Sequence, residues 1–242
     1  MWFVIDDWRA ERPFFQLGLK MDISDRMKSY EEDQRFPKGA VIIRIDGKNF
    51  HNWVKYAGAK KPFDMHVHHC MLAATRRTAL HMQGFKLAYT QSDESTFLLT
   101  NLGDNESGWF DYKAQKMASI AASMFTTHFN EEWLICWEAI SGYKRVPAWF
   151  DARAFSIPLE DAANNFVWRQ QDWARNSVQM LGHHYISHKA MQGLNVQKVK
   201  ELLKRDHNVD WNDLAGWEKH GSFLEKVEVG FLTRQYQLHY DE

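Results

Sequence analysis

Two short stretches of this chain carry acidic side chains at the end of an apolar run: Val41-Ile42-Ile43-Arg44-Ile45-Asp46-Gly47 and Ala88-Tyr89-Thr90-Gln91-Ser92-Asp93-Glu94-Ser95-Thr96-Phe97. Carboxylates held rigidly at strand ends suit Mg²⁺, which takes one or two of them together with substrate phosphate oxygens. The chemistry such a site supports is that of nucleotides. Asp-Gly and Ser-Asp are also common turn dipeptides, so spacing alone leaves a pair of ordinary turns as the other reading.

The elements around them favour the first reading. Val41, Ile43 and Ile45 alternate with Ile42, Arg44 and Asp46, the pattern of a β-strand buried largely on both faces, which leaves Asp46 at its end. Lys86 to Tyr89 and Thr96 to Thr100 are also strand-like, so Gln91-Ser92-Asp93-Glu94 reads as the turn of a hairpin. Pairing the first strand beside that hairpin would bring Asp46 and Asp93 together. Carboxylates that close raise each other's pKa, a cost that a bridging cation relieves.

The 242 residues allow one large domain, or a compact domain with a helical annex, and 45% hydrophobic with 25% charged residues is a globular composition. No apolar stretch approaches the roughly 18 residues of a membrane span. The early charges Asp6, Asp7 and Arg9 argue against a secretory leader, and Cys70 and Cys136 are not CxxC cysteines, so a cytoplasmic location is expected. A net charge of -1 argues against a general polyanion binder, so any nucleic-acid surface must be local. Most of the 11 Trp are expected in the core or in subunit contacts, with a few free to stack on RNA bases.

Residues 1–25 read as an N-terminal arm, followed by a short capped helix from Ser24 to Glu31. After the first strand, Lys48 to Lys61 reads as a loop and Phe63 to Gln83 as a helix capped by Gly84. Asn101 to Gly108 reads as a polar loop after the hairpin, Asp111 to Phe129 as a helix, and Pro147 to Phe155 as a further strand. The order is βαββαβ, so the fold class is α+β: a ferredoxin-like, polymerase-type palm over 26–158. Residues 159–242 are expected to be a mostly helical extension, with a long amphipathic helix from Asp161 to about His188, a shorter one from Val196 to Arg205 and a late strand over Phe223 to Val229.

Several motifs, in one order, resemble the tRNA(His) guanylyltransferase family. They are Asp25-Arg26-Met27-Lys28-Ser29-Tyr30-Glu31, Arg44-Ile45-Asp46-Gly47-Lys48-Asn49-Phe50-His51, Lys61-Pro62, Gln91-Ser92-Asp93-Glu94, Phe150-Asp151-Ala152-Arg153 and Trp168-Arg169-Gln170-Gln171-Asp172. The resemblance spans roughly residues 25–230 and implies a nucleotidyltransferase that adds nucleotides to tRNA 5′ ends in the 3′-to-5′ direction. At Trp173-Ala174-Arg175-Asn176-Ser177, eukaryotic members carry His-Ile-Asn-Asn, and this chain keeps only the first Asn, as Asn176. That departure favours the Thg-like branch and template-dependent 5′-end repair over strict guanosine addition to tRNA(His).

The resemblance also assigns roles. Asp46, Asp93 and the Gly47 carbonyl would hold two Mg²⁺ ions, with ATP and GTP as substrates, and Glu94 would be a catalytic acid that orients metal-bound water. Lys61 matches a lysine of 5′ activation. Gly47, Lys48, Asn49, Phe50 and His51 would cradle phosphate with their backbone N–H groups, with Ser92 fixing the turn. Asp64 would contact the base, beside Phe63 where the family usually has Asn, and Lys113 and Lys116 would bind triphosphate. Arg175 and Asn176 would meet RNA, and Arg153 and Arg169 would either reach RNA phosphate or pair with acids. The assembly implied is a homotetramer.

His66, His68 and His69, and His183, His184 and His188, could invite a zinc reading, with His184 and His188 on one side of a helix. No HExxH pattern or cysteine cluster supports it. A palm-type nucleotide cyclase or dinucleotide synthase, or a non-catalytic RNA-binding module, would use the same frame.

Overall fold

The computed structural model describes residues 22–31, 34–101, 107–227 and 230–238. Residues 1–21 of the expected arm and 102–106 of the expected polar loop lie outside them. Helix α1 (Ile23–Tyr30) stands in an N-terminal unit separate from Gln34–Glu242; its N-cap Asp22 makes no side-chain bond, so the expected cap is not formed.

The larger unit is built on one six-stranded sheet, β1 (Ala40–Gly47), β2 (Phe85–Gln91), β3 (Glu94–Thr100), β4 (Phe150–Ile157), β5 (Ser222–Val227) and β6 (Gly230–Arg234). Its order is β4-β1-β3-β2-β5-β6, and every neighbouring pair is antiparallel. The first four strands realise the βαββαβ arrangement, with β1 between the hairpin and β4. The late strand expected over Phe223 to Val229 is β5, which pairs with β2 on one side and β6 on the other, so the C-terminal segment extends the sheet as well as adding helices.

Period-two alternation decides the two faces. Val41, Ile43 and Ile45 enter the main core, beneath α3 (Met65–Ala79) and α4 (Ala114–Ala139), with Met71, Phe97, Phe125 and Phe129. Ile42 points the other way, to Tyr89, Phe166 and Phe223 under α5 (Ala162–Tyr185). Burying each such side chain contributes about 1.5–3 kcal/mol. A third cluster, Val178, Leu181, Val199, Leu203 and Trp211, joins α5 to α7 (Val196–His207). Trp53, Trp109, Trp133, Trp173 and Trp211 are buried, as expected of most tryptophans, whereas Trp149 and Trp168 are exposed.

Several elements differ from expectation. Lys48 to Lys61 is not all loop: Phe50–Ala57 forms α2, because Phe50, Trp53 and Ala57 fall on one face at helical spacing and bury there. Gly58, at φ 75, closes it in the left-handed conformation. Helix α3 ends at Ala79, short of Gln83, and Gly84 instead turns the chain into β2. Helix α4 runs ten residues past Phe129, carrying buried Trp133. Helix α5 stops at Tyr185, and His188 opens a separate short helix, α6 (His188–Met191), so His184 and His188 do not share a helical face. His183 is the residue that stacks on His188, with ring centroids 5.4 Å apart.

Candidate functional site

The alternation that sends Ile42 away from α3 and α4 sends Arg44 and Asp46 with it. Register then flanks Asp46 with Glu94 of β3 and Asp151 of β4, and Arg44 with Thr96 and Arg153. The hairpin turn is the two residues Ser92 and Asp93, with Ser92 left-handed at φ 48 and its hydroxyl donating a hydrogen bond to Asp93 Oδ1 at 2.9 Å. Gly47 N–H donates to the Asp93 carbonyl at 3.1 Å, which ties the end of β1 to the turn.

Only glycine allows that approach. A Cβ on Gly47 would lie 2.7 Å from Phe50 Cδ2 and 3.0 Å from both Cβ and Oδ2 of Asp93. Gly47→Ala is therefore expected to destabilise the protein by about 1–3 kcal/mol and to push the Asp93 carboxylate aside. A thermal melt reads the first effect. A drop in turnover larger than that stability loss explains reads the second.

The electrostatics mark the same point. Burial pushes the Asp93 carboxyl up to about 6, and the Asp46 carboxylate adds to the shift against the Ser92 hydrogen bond. Asp46 is raised as well, by burial and then by Glu94 and Asp151, while Arg44 and Arg153 pull it down. A shared cation would favour the ionised form of both, and paired carboxylates beside a backbone carbonyl are the donor set that Mg²⁺ takes.

Glu94 shares the face of Asp46, but its carboxylate is already paired. Arg169 of α5 donates Nε to Glu94 Oε1 at 2.7 Å and Nη2 to Oε2 at 2.6 Å, and both residues are buried. Thr96 adds a hydroxyl donor to Oε1 at 3.2 Å. Arg169 thus pairs with an acid, the second of its two expected roles. Asp172, 3.3 Å from Arg169 Nη2, also accepts from Arg175 at 2.9 Å and Asn176 at 3.2 Å, so both expected RNA contacts are tethered to one carboxylate. Arg153 is exposed.

A cavity of about 710 Å³ opens from Ser92 and Asp93. Its lining includes His51, Lys60 and Lys61, the histidines His183, His184 and His188, and the aromatic residues Phe63, Trp173 and Trp217. Asp64 borders it with a carboxylate that already has several donors. Its Oδ1 accepts from the N–H of His66 at 2.8 Å and of Val67 at 3.2 Å, capping α3, and its Oδ2 accepts from Lys60 N–H at 2.6 Å. The Tyr143 hydroxyl donates to the same carboxylate. Asp64 instead shapes the loop that carries Lys60 and Lys61.

The phosphate cradle is smaller than expected, because Gly47 N–H is spent on Asp93 and Lys48 N–H donates to the Trp149 carbonyl at 2.8 Å. The amides of Asn49, Phe50 and His51, at the start of α2, are the remaining part. Lys113 and Lys116 stand apart from the site. They open α4 near the Ala40–Thr100 end of the β1–β3 ladder, six residues from the Asp46–Glu94 end, or roughly 20 Å at 3.3 Å per residue. Lys116 lies over the Phe110 ring there, 5.1 Å from its centroid.

Asp151, Arg44, Tyr143 and the exposed Trp168, over which Arg44 and Arg169 both sit, were not expected at the site. Asp151 lay within a quoted motif, but its place opposite Asp46 depends on strand register, for which the sequence carries no direct signal.

A family model described as Thg1: tRNAHis guanylyltransferase matches residues 24–158. A probable tRNA(His) guanylyltransferase of Mus musculus is 26% identical over 233 residues, covering 90% of this chain and 76% of the relative. Protein R259 of Acanthamoeba polyphaga mimivirus, described as uncharacterized, is 26% identical over 227 residues, with 84% and 77% covered. A bacterial tRNA(His) guanylyltransferase (Thg1)-like protein solved with ATP superposes with a TM-score of 0.83 at 37% identity, over 90% of this chain and 93% of that one. A bacterial Thg1-like protein in complex with GTP gives a TM-score of 0.70 at 33% identity, over 88% and 90%.

Proposed function

We infer, from the chain's membership of the tRNAHis guanylyltransferase family, that Asp46 and Asp93 are the metal-holding pair of a nucleotidyltransferase that extends tRNA 5′ ends in the 3′-to-5′ direction. The observation that carries this assignment is the Gly47–Asp93 hydrogen bond, which ties the end of the Asp46 strand to Asp93, so that two carboxylates of raised pKa come together where Asp93 borders a cavity lined by lysines. The frame supports the reading of 26–158 as a polymerase-type palm, with 159–242 as its extension.

When bound, two Mg²⁺ ions would lower the pKa of the attacking 3′-hydroxyl and neutralise triphosphate. Asp46 and Asp93 would hold them, with the Gly47 carbonyl between. The residues' own work is positioning. Lys60 and Lys61 bring positive charge to the phosphates of a nucleotide in the cavity, and the amides of Asn49, Phe50 and His51 supply donors at the start of α2. The 3′-hydroxyl of the incoming nucleotide attacks the phosphorus of the activated RNA 5′ end; a new P–O bond forms, and the activating pyrophosphate or adenylate leaves. ATP and GTP are the nucleotides bound in the two bacterial relatives, and we read both as substrates here.

Templated repair of truncated 5′ ends is the favoured activity, because the segment Ala174-Arg175-Asn176-Ser177 keeps only one Asn of the eukaryotic motif. We read the assembly as a homotetramer and the location as cytoplasmic; among the described residues no helix is long and apolar enough to cross a membrane.

Incubating the protein with Mg²⁺, each NTP and a 5′-truncated tRNA, then sequencing the RNA 5′ ends, tests the assignment. Ends lengthened by the templated nucleotide are expected, with Asp46→Ala and Asp93→Ala inactive. Unextended ends, with cyclic nucleotide formed from NTP alone, would point to the cyclase reading instead.

A further inference from the structure

The cavity beside Asp93 has a floor that the metal site does not explain. Phe63 meets Trp173 edge to face at 6.2 Å and 73°, and meets Trp217 in the same way at 6.2 Å and 80°. Trp217 in turn stacks on His68 with centroids 4.5 Å apart and planes 17° apart. Phe63 and Trp217 are half-buried and line the cavity, so each keeps ring surface open to it. Burial, with His69 close by, lowers the pKa of His68 to about 4, so this floor carries no charge at neutral pH.

Beside its histidines, the lining offers two further chemistries. Lys60 and Lys61 form a cationic side suited to phosphate, and the three rings form a neutral aromatic side suited to a π-face. The carboxylate of Asp64, the residue after Phe63, is already engaged by three backbone N–H groups and the Tyr143 hydroxyl. The Trp173 indole N–H is buried without an acceptor. The aromatic side can therefore take a ring by its face, while the adjacent Asp64 carboxylate is occupied.

We propose that Phe63 and Trp217 hold the nucleobase of the nucleoside triphosphate by stacking, and so anchor the nucleotide without reading which base it carries. This rests on the reading of the cavity as the nucleotide site of a 5′-end nucleotidyltransferase. Every base presents a π-face, so stacking binds all four alike and leaves the choice of base to pairing with the template.

The test compares wild type, Phe63→Ala, Trp217→Ala and Phe63→Tyr for the KM of ATP, GTP, CTP and UTP on RNAs whose template position matches each, with inorganic tripolyphosphate as a competitor that has no base. Either alanine substitution is expected to raise KM for all four nucleotides by about tenfold, with tripolyphosphate inhibition held within about twofold and Phe63→Tyr close to wild type. Equal weakening of tripolyphosphate would mean a displaced loop and would overturn the proposal, as would unchanged nucleotide KM values or a loss confined to one base. Quenching of tryptophan fluorescence by ATP measures the same affinities without RNA. A wild-type protein that extends no RNA but binds ATP through Phe63 would refute the assigned reaction and leave the stacking floor standing.

Discussion

Asp93→Asn should abolish 5′ extension and at the same time raise the melting temperature of the metal-free protein. The carboxyl sits at about 6 in the folded chain against an ordinary 3.8, held up first by burial and then by Asp46. Between those two values the folded state binds the proton and the unfolded state releases it, so folding is progressively disfavoured as pH rises through that window. The shift of roughly two pH units corresponds to about 3 kcal/mol at 1.36 kcal/mol per unit, or about 2 kcal/mol after discounting for the solvent that reaches a half-buried side chain. An amide keeps the shape and removes the charge, so that cost disappears. Turnover should fall on the order of 10²-fold or more, the scale of losing one electrostatic contact to a transition state.

Two melting series check this. At pH 7.5 with a chelator, Asp93→Asn should melt above wild type, and the difference should vanish near pH 3.8. Adding Mg²⁺ should stabilise wild type by binding the folded state and leave the variant unmoved. A metal-free variant that melts below wild type, together with a wild type indifferent to Mg²⁺, would remove these carboxylates as a cation site. The accompanying pH profile follows the same sign: Mg²⁺ affinity should weaken as pH falls through about 6, where Asp93 takes up its proton.

The parts of this site that were legible in the sequence are those set by local period and by turn chemistry. Alternation over Val41 to Asp46 fixes a two-faced strand, and the Ser92-Asp93 dipeptide fixes a tight turn, so the meeting of the carboxylates followed from one further step, the βαββαβ order. What required coordinates is register and helix length. Glu94 and Arg169 lie 75 residues apart, and Cys70 and Cys136 approach to 3.6 Å across 66, with no motif spacing to announce either contact. Motif order could match Lys113 and Lys116 to phosphate-binding lysines, but it could not say at which end of the sheet α4 begins. Asp64 shows a third limit. A carboxylate at that position can cap a helix or meet a base, and only the three backbone donors converging on it decide between them.

Arg169 separates a structural role from an RNA contact most sharply, because the two readings move different observables. Its two hydrogen bonds to Glu94 form a buried, bidentate ion pair. Removing one partner of such a pair strands a charge in the interior, at a cost of about 3–5 kcal/mol. For a chain of this size that is a fall in melting temperature of roughly 6–20 °C for Arg169→Ala, at about 2–4 °C per kcal/mol. Arg169→Lys should recover only part of it, since a single ammonium cannot reproduce the fork that meets both carboxylate oxygens. Glu94→Gln with Arg169→Met should recover more than Arg169→Ala alone, because neither charge is then left unpaired. If the guanidinium instead met RNA phosphate, Arg169→Ala would leave the melting temperature in place and would weaken tRNA binding with a shallower salt dependence. The geometry favours the first outcome. Glu94, drawn toward α5 by Arg169, would then set the direction of the hairpin that carries Asp93, so the melting loss should come with a weaker Mg²⁺ response than wild type shows, though not the full loss expected of an Asp46 variant.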